Sequence, residues 1–126
     1  MPLIWGIVVF VMASFVILVD SDCFMTPVLD DVRRFCQAAL NRGDRIQQVF
    51  LYRSAVQAVL PEPDLPADEP DLAAVLATFC QQHQIPLLYC ATAALKRGIT
   101  LARPGFTLSG LAEFAGSLHG EKLVQF

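Results

Sequence analysis

LLYCATAALKRG, residues 87–98, is the stretch from which the fold can be read. Leu87, Leu88 and Tyr89 form the short apolar run that ends a buried strand. Cys90 follows at once. Ala91-Thr92-Ala93-Ala94-Leu95-Lys96-Arg97 then reads as a short helix of good helix formers, stopped by Gly98. A cysteine at such a junction meets backbone N–H groups that have no partner, at the positive end of the helix dipole. That setting favours a thiolate, and hence a nucleophile.

Outward from this junction, strands and helices alternate. Upstream, Phe15 to Val19 ends in the polar Asp20 and makes a first strand. Thr26 is the expected cap of the next helix, with Pro27 at its first position and Asp30 and Asp31 in its early turns. Val28, Val32, Phe35, Cys36, Ala39 and Leu40 give that helix an apolar face, and Gly43 ends it. Ile46 to Tyr52 is a second strand, ending at Arg53. Ser54 to Leu60 reads as a turn of helix or a packed loop. PEPDLPADEP, residues 61–70, is an exposed loop because its prolines exclude both helix and central strand.

Asp71 opens a helix whose apolar face is Leu72, Val75, Leu76, Phe79, Cys80 and His83. Ile85 to Tyr89 is the third strand. Downstream, Gly105 to Leu108 is a brief fourth strand, a helix runs from Ser109 or Gly110 to Leu118, and Lys122 to Phe126 is a last strand. His83 and His119 read as helix-end histidines. Five strands alternating with helices predict an α/β domain with a mostly parallel five-stranded sheet covered on both faces.

The 126 residues suit one domain. Nine Lys and Arg against twelve Asp and Glu leave a net charge of −3 with no basic stripe, which disfavours direct nucleic-acid binding. Residues 1–12 read as an apolar leader separable from a domain at 13–126. A membrane anchor and a cleaved signal are the alternatives; Met12 is a second possible start. Against a signal, no basic residue precedes the apolar run; against a span, the run is short of about 20 residues. Cys23, Cys36, Cys80 and Cys90 show no C-x-x-C spacing, so neither a zinc site nor a disulfide scaffold is expected. Reduced thiols point to the cytoplasm. No cofactor or metal is expected.

Sites in such a sheet gather at the carboxyl ends of the strands. Four features share that edge: the Asp20–Cys23 loop, Arg53, Cys90 and the Phe106–Ser109 turn. The loop after the first strand, DSDCFMT (residues 20–26), lacks the glycines of a dinucleotide or phosphate-binding loop. The Cys90–Arg97 spacing does not suit a cysteine phosphatase, and the third strand lacks the aspartate of a phosphoacceptor receiver. Cys90 remains, with two readings open: a thiolate held by the N–H groups of Ala91, Thr92 and Ala93, or a small buried hydrophobe. Arg53 is the better basic neighbour, because Lys96 and Arg97 lie roughly 9–10 Å along the helix. Cys23, on the same edge, is a candidate resolving thiol.

YCATAALKRGI (residues 89–99), GFTLSGL (105–111), the terminal LVQF (123–126) and VFLYRSAV (49–56) together resemble the DsrE/TusD family of small sulfur-relay proteins. The resemblance runs from about Phe15 to Phe126 and is greatest to the cysteine-bearing subunit of a TusBCD-type complex. It implies a three-layer α/β/α fold and a hetero-oligomer of related subunits. It implies a sulfurtransferase in which Cys90 takes a sulfane sulfur from a donor protein and passes the persulfide to an acceptor protein, in a relay ending at 2-thiouridine of the tRNA wobble position. A DsrE-type role in sulfur oxidation and a non-catalytic structural subunit are the alternatives. Two departures stand out: the first loop is shorter and carries Cys23-Phe24-Met25, and only TLARP (residues 100–104) separates Arg97-Gly98-Ile99 from Gly105-Phe106.

Overall fold

Every strand of the sheet runs parallel to its neighbours, in the order β4-β3-β2-β1-β5. The computed structural model describes residues 12–126 apart from 25, 62–64, 66 and 67. The expected leader therefore lies, except for Met12, outside the described residues, as does much of the proline-rich loop. The elements are β1 (Ser14–Val19), α1 (Val28–Asn41), β2 (Arg45–Leu51), a 3-10 helix (Arg53–Val59), α2 (Leu72–Gln82), β3 (Leu87–Cys90), α3 (Ala91–Lys96), β4 (Thr107–Ser109), α4 (Leu111–Gly116) and β5 (Lys122–Gln125). Each expected strand is present, shifted by one or two residues at its ends.

Alternation along the central strands sorts the layers. Phe15 points to one face, where it meets Phe35 of α1 edge-on at 5.2 Å. Phe50, paired in register with Leu18, points to the other and stacks on Phe114 of α4 at 4.5 Å. Thus α1 and α2 cover one face and α4 the other, while the 3-10 helix and α3 pack together at the carboxyl edge. Val16, Ile17, Val19, Val49, Phe50 and Leu51 are fully buried and form the centre of the core. The register slips between Phe15 and Val16, leaving Gln47 as an extra residue on β2. Consecutive side chains can then turn the same way: Gln47 donates to the Ser117 carbonyl and Gln48 to Ser117 Oγ.

Two local expectations need correction, one at Thr26 and one on α2. Thr26 does not cap α1; its hydroxyl donates to the Asp22 carbonyl at 3.0 Å, and Pro27 holds the N-cap position with no side-chain bond. The loop instead closes on itself, with the Phe24 N–H donating to Asp22 Oδ1. The segment after β2, expected as a turn of helix or a packed loop, is a 3-10 helix with Ala55, Val56, Ala58 and Val59 buried. On α2, Val75 is 44% exposed and His83 lies outside the helix as its C-cap, so the buried face narrows to Ala73, Leu76, Phe79 and Cys80.

Asp71 does cap α2, accepting from the Ala74 N–H at 3.1 Å. It also receives a two-pronged pair from Arg103, at 3.1 and 2.6 Å, tying the segment before β4 to the start of α2. The Arg103 hydrogen bonds hold the Asp71 carboxyl below its ordinary 3.8. A lowered carboxylate pKa contributes stability above the unfolded value, and that contribution is lost as pH falls through the folded value. Asp71→Ala should cost about 0.5–2 kcal/mol at neutral pH through the cap alone. Asp71→Asn, which keeps a capping oxygen, should lose stability at pH 7 and approach the parent as pH falls through the lowered Asp71 value. Urea titrations at pH 7 and at a pH below that value check this; an equal Asp71→Asn deficit at both would refute it.

Candidate functional site

Cys90 is the last residue of β3, and its backbone, at φ −73° and ψ 121°, is still extended as α3 begins. It occupies the N-cap position without a side-chain cap bond. Three alanines follow within four residues, and Ala93 and Ala94 are buried, so α3 can close on the 3-10 helix, where Ala55 and Val56 are buried in turn. The thiol is thereby set at the floor of an open cleft of about 410 Å³, with Cys90 only 1% exposed. Tyr52, Arg53, Thr92, Ala93, Lys96, Arg97 and Leu111 form the rest of the lining. The cleft thus draws on the carboxyl ends of β2 and β3, on α3 and on the first residue of α4.

Arg53 is in the cleft, as expected from its position after β2. Its φ of +52° lies in the left-handed region, which a side chain other than glycine seldom occupies. This turn swings the guanidinium over the Tyr52 ring, 5.3 Å from the centroid, and brings it 3.8 Å from Asp20 Oδ2. Asp20 is itself placed by β5: Gln125 Nε2 donates to its carboxylate at 3.0 Å, and its N–H donates to the Phe126 carbonyl.

Lys96 and Arg97 line the same cleft, a role the sequence reading did not assign them. Their distance along the helix does not keep them out of the lining, because helical side chains lean back towards the N-terminus and these two are long. Arg97 shows the lean directly, its Nη1 donating to the Ala93 carbonyl at 3.2 Å. Tyr52 and Leu111 were also missed; they sit next to Arg53 and to the Phe106–Ser109 turn, and that adjacency was the available signal.

The remaining candidates separate. Thr92 lines the cleft, whereas Ala91 is half-buried and outside the lining. Ser109 is the register partner of Cys90 across β3 and β4, half-buried and also outside the lining. Cys23 is buried in a different cavity, of about 220 Å³, bounded by Phe24, Leu29, Ala58, Leu72 and Arg103. Burial, reinforced by Asp22, pushes its thiol up to about 11. The structure therefore does not bring Cys23 and Cys90 together in one cleft. Burial likewise raises Cys36 and Cys80 to about 12 each, with Cys36 adding to the effect on Cys80. All four cysteines are free. His83, the C-cap of α2, packs on Phe79 with ring centroids 4.5 Å apart, and the His119 backbone N–H, two residues beyond the C-cap of α4, donates to Glu121 at 2.6 Å. Among the described residues no cluster of three His, Cys, Asp or Glu could hold a metal ion, and no helix is long and apolar enough to cross a membrane.

A family model described as the DsrE/DsrF-like family matches residues 13–126. Among curated proteins, the chain is 34% identical to the sulfurtransferase TusD of Pectobacterium carotovorum subsp. carotovorum (strain PC1), over 91% of this chain and all of that one. It is 33% identical to the sulfurtransferase TusD of Serratia proteamaculans (strain 568), with the same coverage. With that of Salmonella typhi it shares 33% identity over 89% of this chain and 98% of the relative. Among solved structures, the ychN protein from E. coli superposes with a TM-score of 0.75 at 22% identity, covering 91% of this chain and 100% of that one. A Bacteroides thetaiotaomicron protein of unknown function, BT1422, gives 0.62 at 19% identity over 90% and 94% of the two chains. Those two likenesses bear on the fold, the three-layer arrangement described above.

Proposed function

Because the chain belongs to the DsrE/DsrF-like family, we propose that it is a sulfur-relay sulfurtransferase subunit that carries sulfane sulfur as a persulfide on Cys90. The single observation that supports the residue is its place at the floor of the cleft where the carboxyl ends of β2 and β3 meet. The names of the relatives, sulfurtransferases, support the reaction class.

The step is a thiol–persulfide exchange. The Cys90 thiolate attacks the outer sulfur of a donor persulfide, R–S–SH, and the donor's S–S bond breaks as a new one forms to Cys90. The donor leaves as a thiolate and takes up a proton, so no external oxidant or reductant is required. Arg53, Lys96 and Arg97 border the cleft in which the anionic sulfurs would sit. Thr92 lines it; Ala91 and Ser109 act through the backbone that frames Cys90. Delivery repeats the exchange with an acceptor thiol.

The relay partners are an upstream persulfide donor protein, a downstream acceptor protein and related DsrE-like subunits in a hetero-oligomer. The work is cytoplasmic, and the end point is the 2-thiouridine of the tRNA wobble position, reached through the acceptor and not by contact with RNA. The likeness to TusD proteins favours that end point over sulfur oxidation. The residues assigned to this role all lie within the proposed domain, 13–126.

Incubation with glutathione persulfide tests the carrier role. The expected product is heavier by ~32 Da, one sulfur atom, with the added mass in the peptide that contains Cys90 and removable by dithiothreitol. Absence of the adduct would reduce the chain to a structural subunit of such an assembly, and an adduct confined to other cysteines would move the site.

A further inference from the structure

The mouth of the Cys90 cleft is positive on a negatively charged protein. Three cations line it, Arg53, Lys96 and Arg97, while the chain as a whole carries −3. Asp20 offsets Arg53 at 3.8 Å. Neither Lys96 nor Arg97 takes part in an ion pair among the described residues, and both are exposed. Glu113, on the neighbouring α4, lies with its carboxylate beside Gly110 and is not part of the lining. A leucine accompanies the cations. Leu111 lines the cleft at 45% exposure, and Leu95 of α3, outside the lining, is 71% exposed.

Cys90 at 1% exposure lies below this rim, so whatever exchanges sulfur with it must enter the cleft. Unpaired cations around an entrance speed the approach of negative groups and disfavour positive ones. An exposed leucine beside them is surface that a small anion would leave wet and a polypeptide would cover. Building on the carrier role of Cys90, we propose that this mouth docks an acidic polypeptide segment of the sulfur-exchanging partner, with the persulfide cysteine flanked by Asp or Glu and an apolar residue laid against Leu111.

The exchange is the one already written: the peptide's outer sulfur passes to Cys90, its S–S bond breaks, and the peptide departs as a thiolate that is protonated by solvent. The two unpaired cations thus select among thiol proteins that would otherwise react alike.

Two synthetic ten-residue peptides test this on the full chain, each with one cysteine persulfide, one flanked by Asp and Glu and the other by Lys. Loading of Cys90 is followed by mass. The acidic peptide should load at least about tenfold faster at low ionic strength, because charge complementarity acts on the encounter rate. The preference should collapse at about 0.5 M salt, where screening is short-ranged. In the Lys96→Glu/Arg97→Glu double variant, whose changes fall on exposed positions, it should turn in favour of the basic peptide.

Equal rates for the two peptides, or a preference untouched by salt and by the double variant, overturns the docking inference alone. So does thiosulfate loading Cys90 (with release of sulfite) as fast as the acidic peptide and with the same dependence on Lys96 and Arg97, since the mouth would then read a small anion. If neither peptide nor glutathione persulfide loads Cys90, the carrier role itself falls and this inference falls with it.

Discussion

With Cys90 replaced by alanine, sulfur loading from a persulfide donor is expected to fall on the order of 10²-fold or more, because no other group in the cleft is a nucleophile of comparable strength. The other thiols offer no substitute. Cys23, Cys36 and Cys80 do not line this cleft, and burial pushes their thiols up to about 11, 12 and 12. Alanine is the cleaner replacement. A serine at a site with 1% exposure would bury a hydroxyl, costing about 1–3 kcal/mol unless it found a partner, and would confuse lost chemistry with lost stability. Circular dichroism should show the Cys90→Ala fold intact while the mass adduct disappears. An alanine variant that still gains the sulfur at the parental rate would end the case for Cys90.

Phe114→Ala should produce the largest loss of stability, about 3–5 kcal/mol, the range for removing a buried phenylalanine ring. Helix α4 has six residues, too few to persist by local hydrogen bonding. Phe114 is its one buried residue, stacked on Phe50 at 4.5 Å with the ring planes 22° apart. The Ser117 hydrogen bonds with Gln47 and Gln48 secure the following turn. Loosening α4 also loosens Leu111, a wall of the Cys90 cleft. Alkylation of Cys90 by iodoacetamide should therefore speed up several-fold in native buffer. A variant destabilised as expected, yet alkylated at the parental rate, would show that α4 does not gate access.

Much of this architecture could be read before any coordinates. Strand runs such as VFLY and LLYC stand out because a central parallel strand is apolar on both faces. Asp71 was legible as a helix start because its carboxylate has a local task. Cys90 was legible because the strand-to-helix change falls on it. What escaped depends on how distant segments meet. Thr26 has the right residue type for a cap, but the Asp22 turn claims its hydroxyl. Cys23 shares an edge with Cys90 in chain order, yet the segment around Arg103 and the start of α2 enclose it in another cavity. Axial distance separates Lys96 and Arg97 from Cys90, yet both line the same cleft.

The pairing of β1 with β5 has a consequence for how the molecule is made. Asp20 and Gln125 are hydrogen-bonded across 105 residues of sequence, and Phe126 donates to the Leu18 carbonyl at 2.8 Å. During synthesis β1 emerges early, and the strand that completes its second edge emerges about a hundred residues later. Closing so long a loop adds little free energy but slows folding, because the contact cannot form until both ends exist. Until then an apolar strand, SFVILV, presents an open ladder of N–H and C=O groups that any other exposed strand can join. A chain in which Lys122–Gln125 has not yet paired with β1 is thus a seed for aggregation.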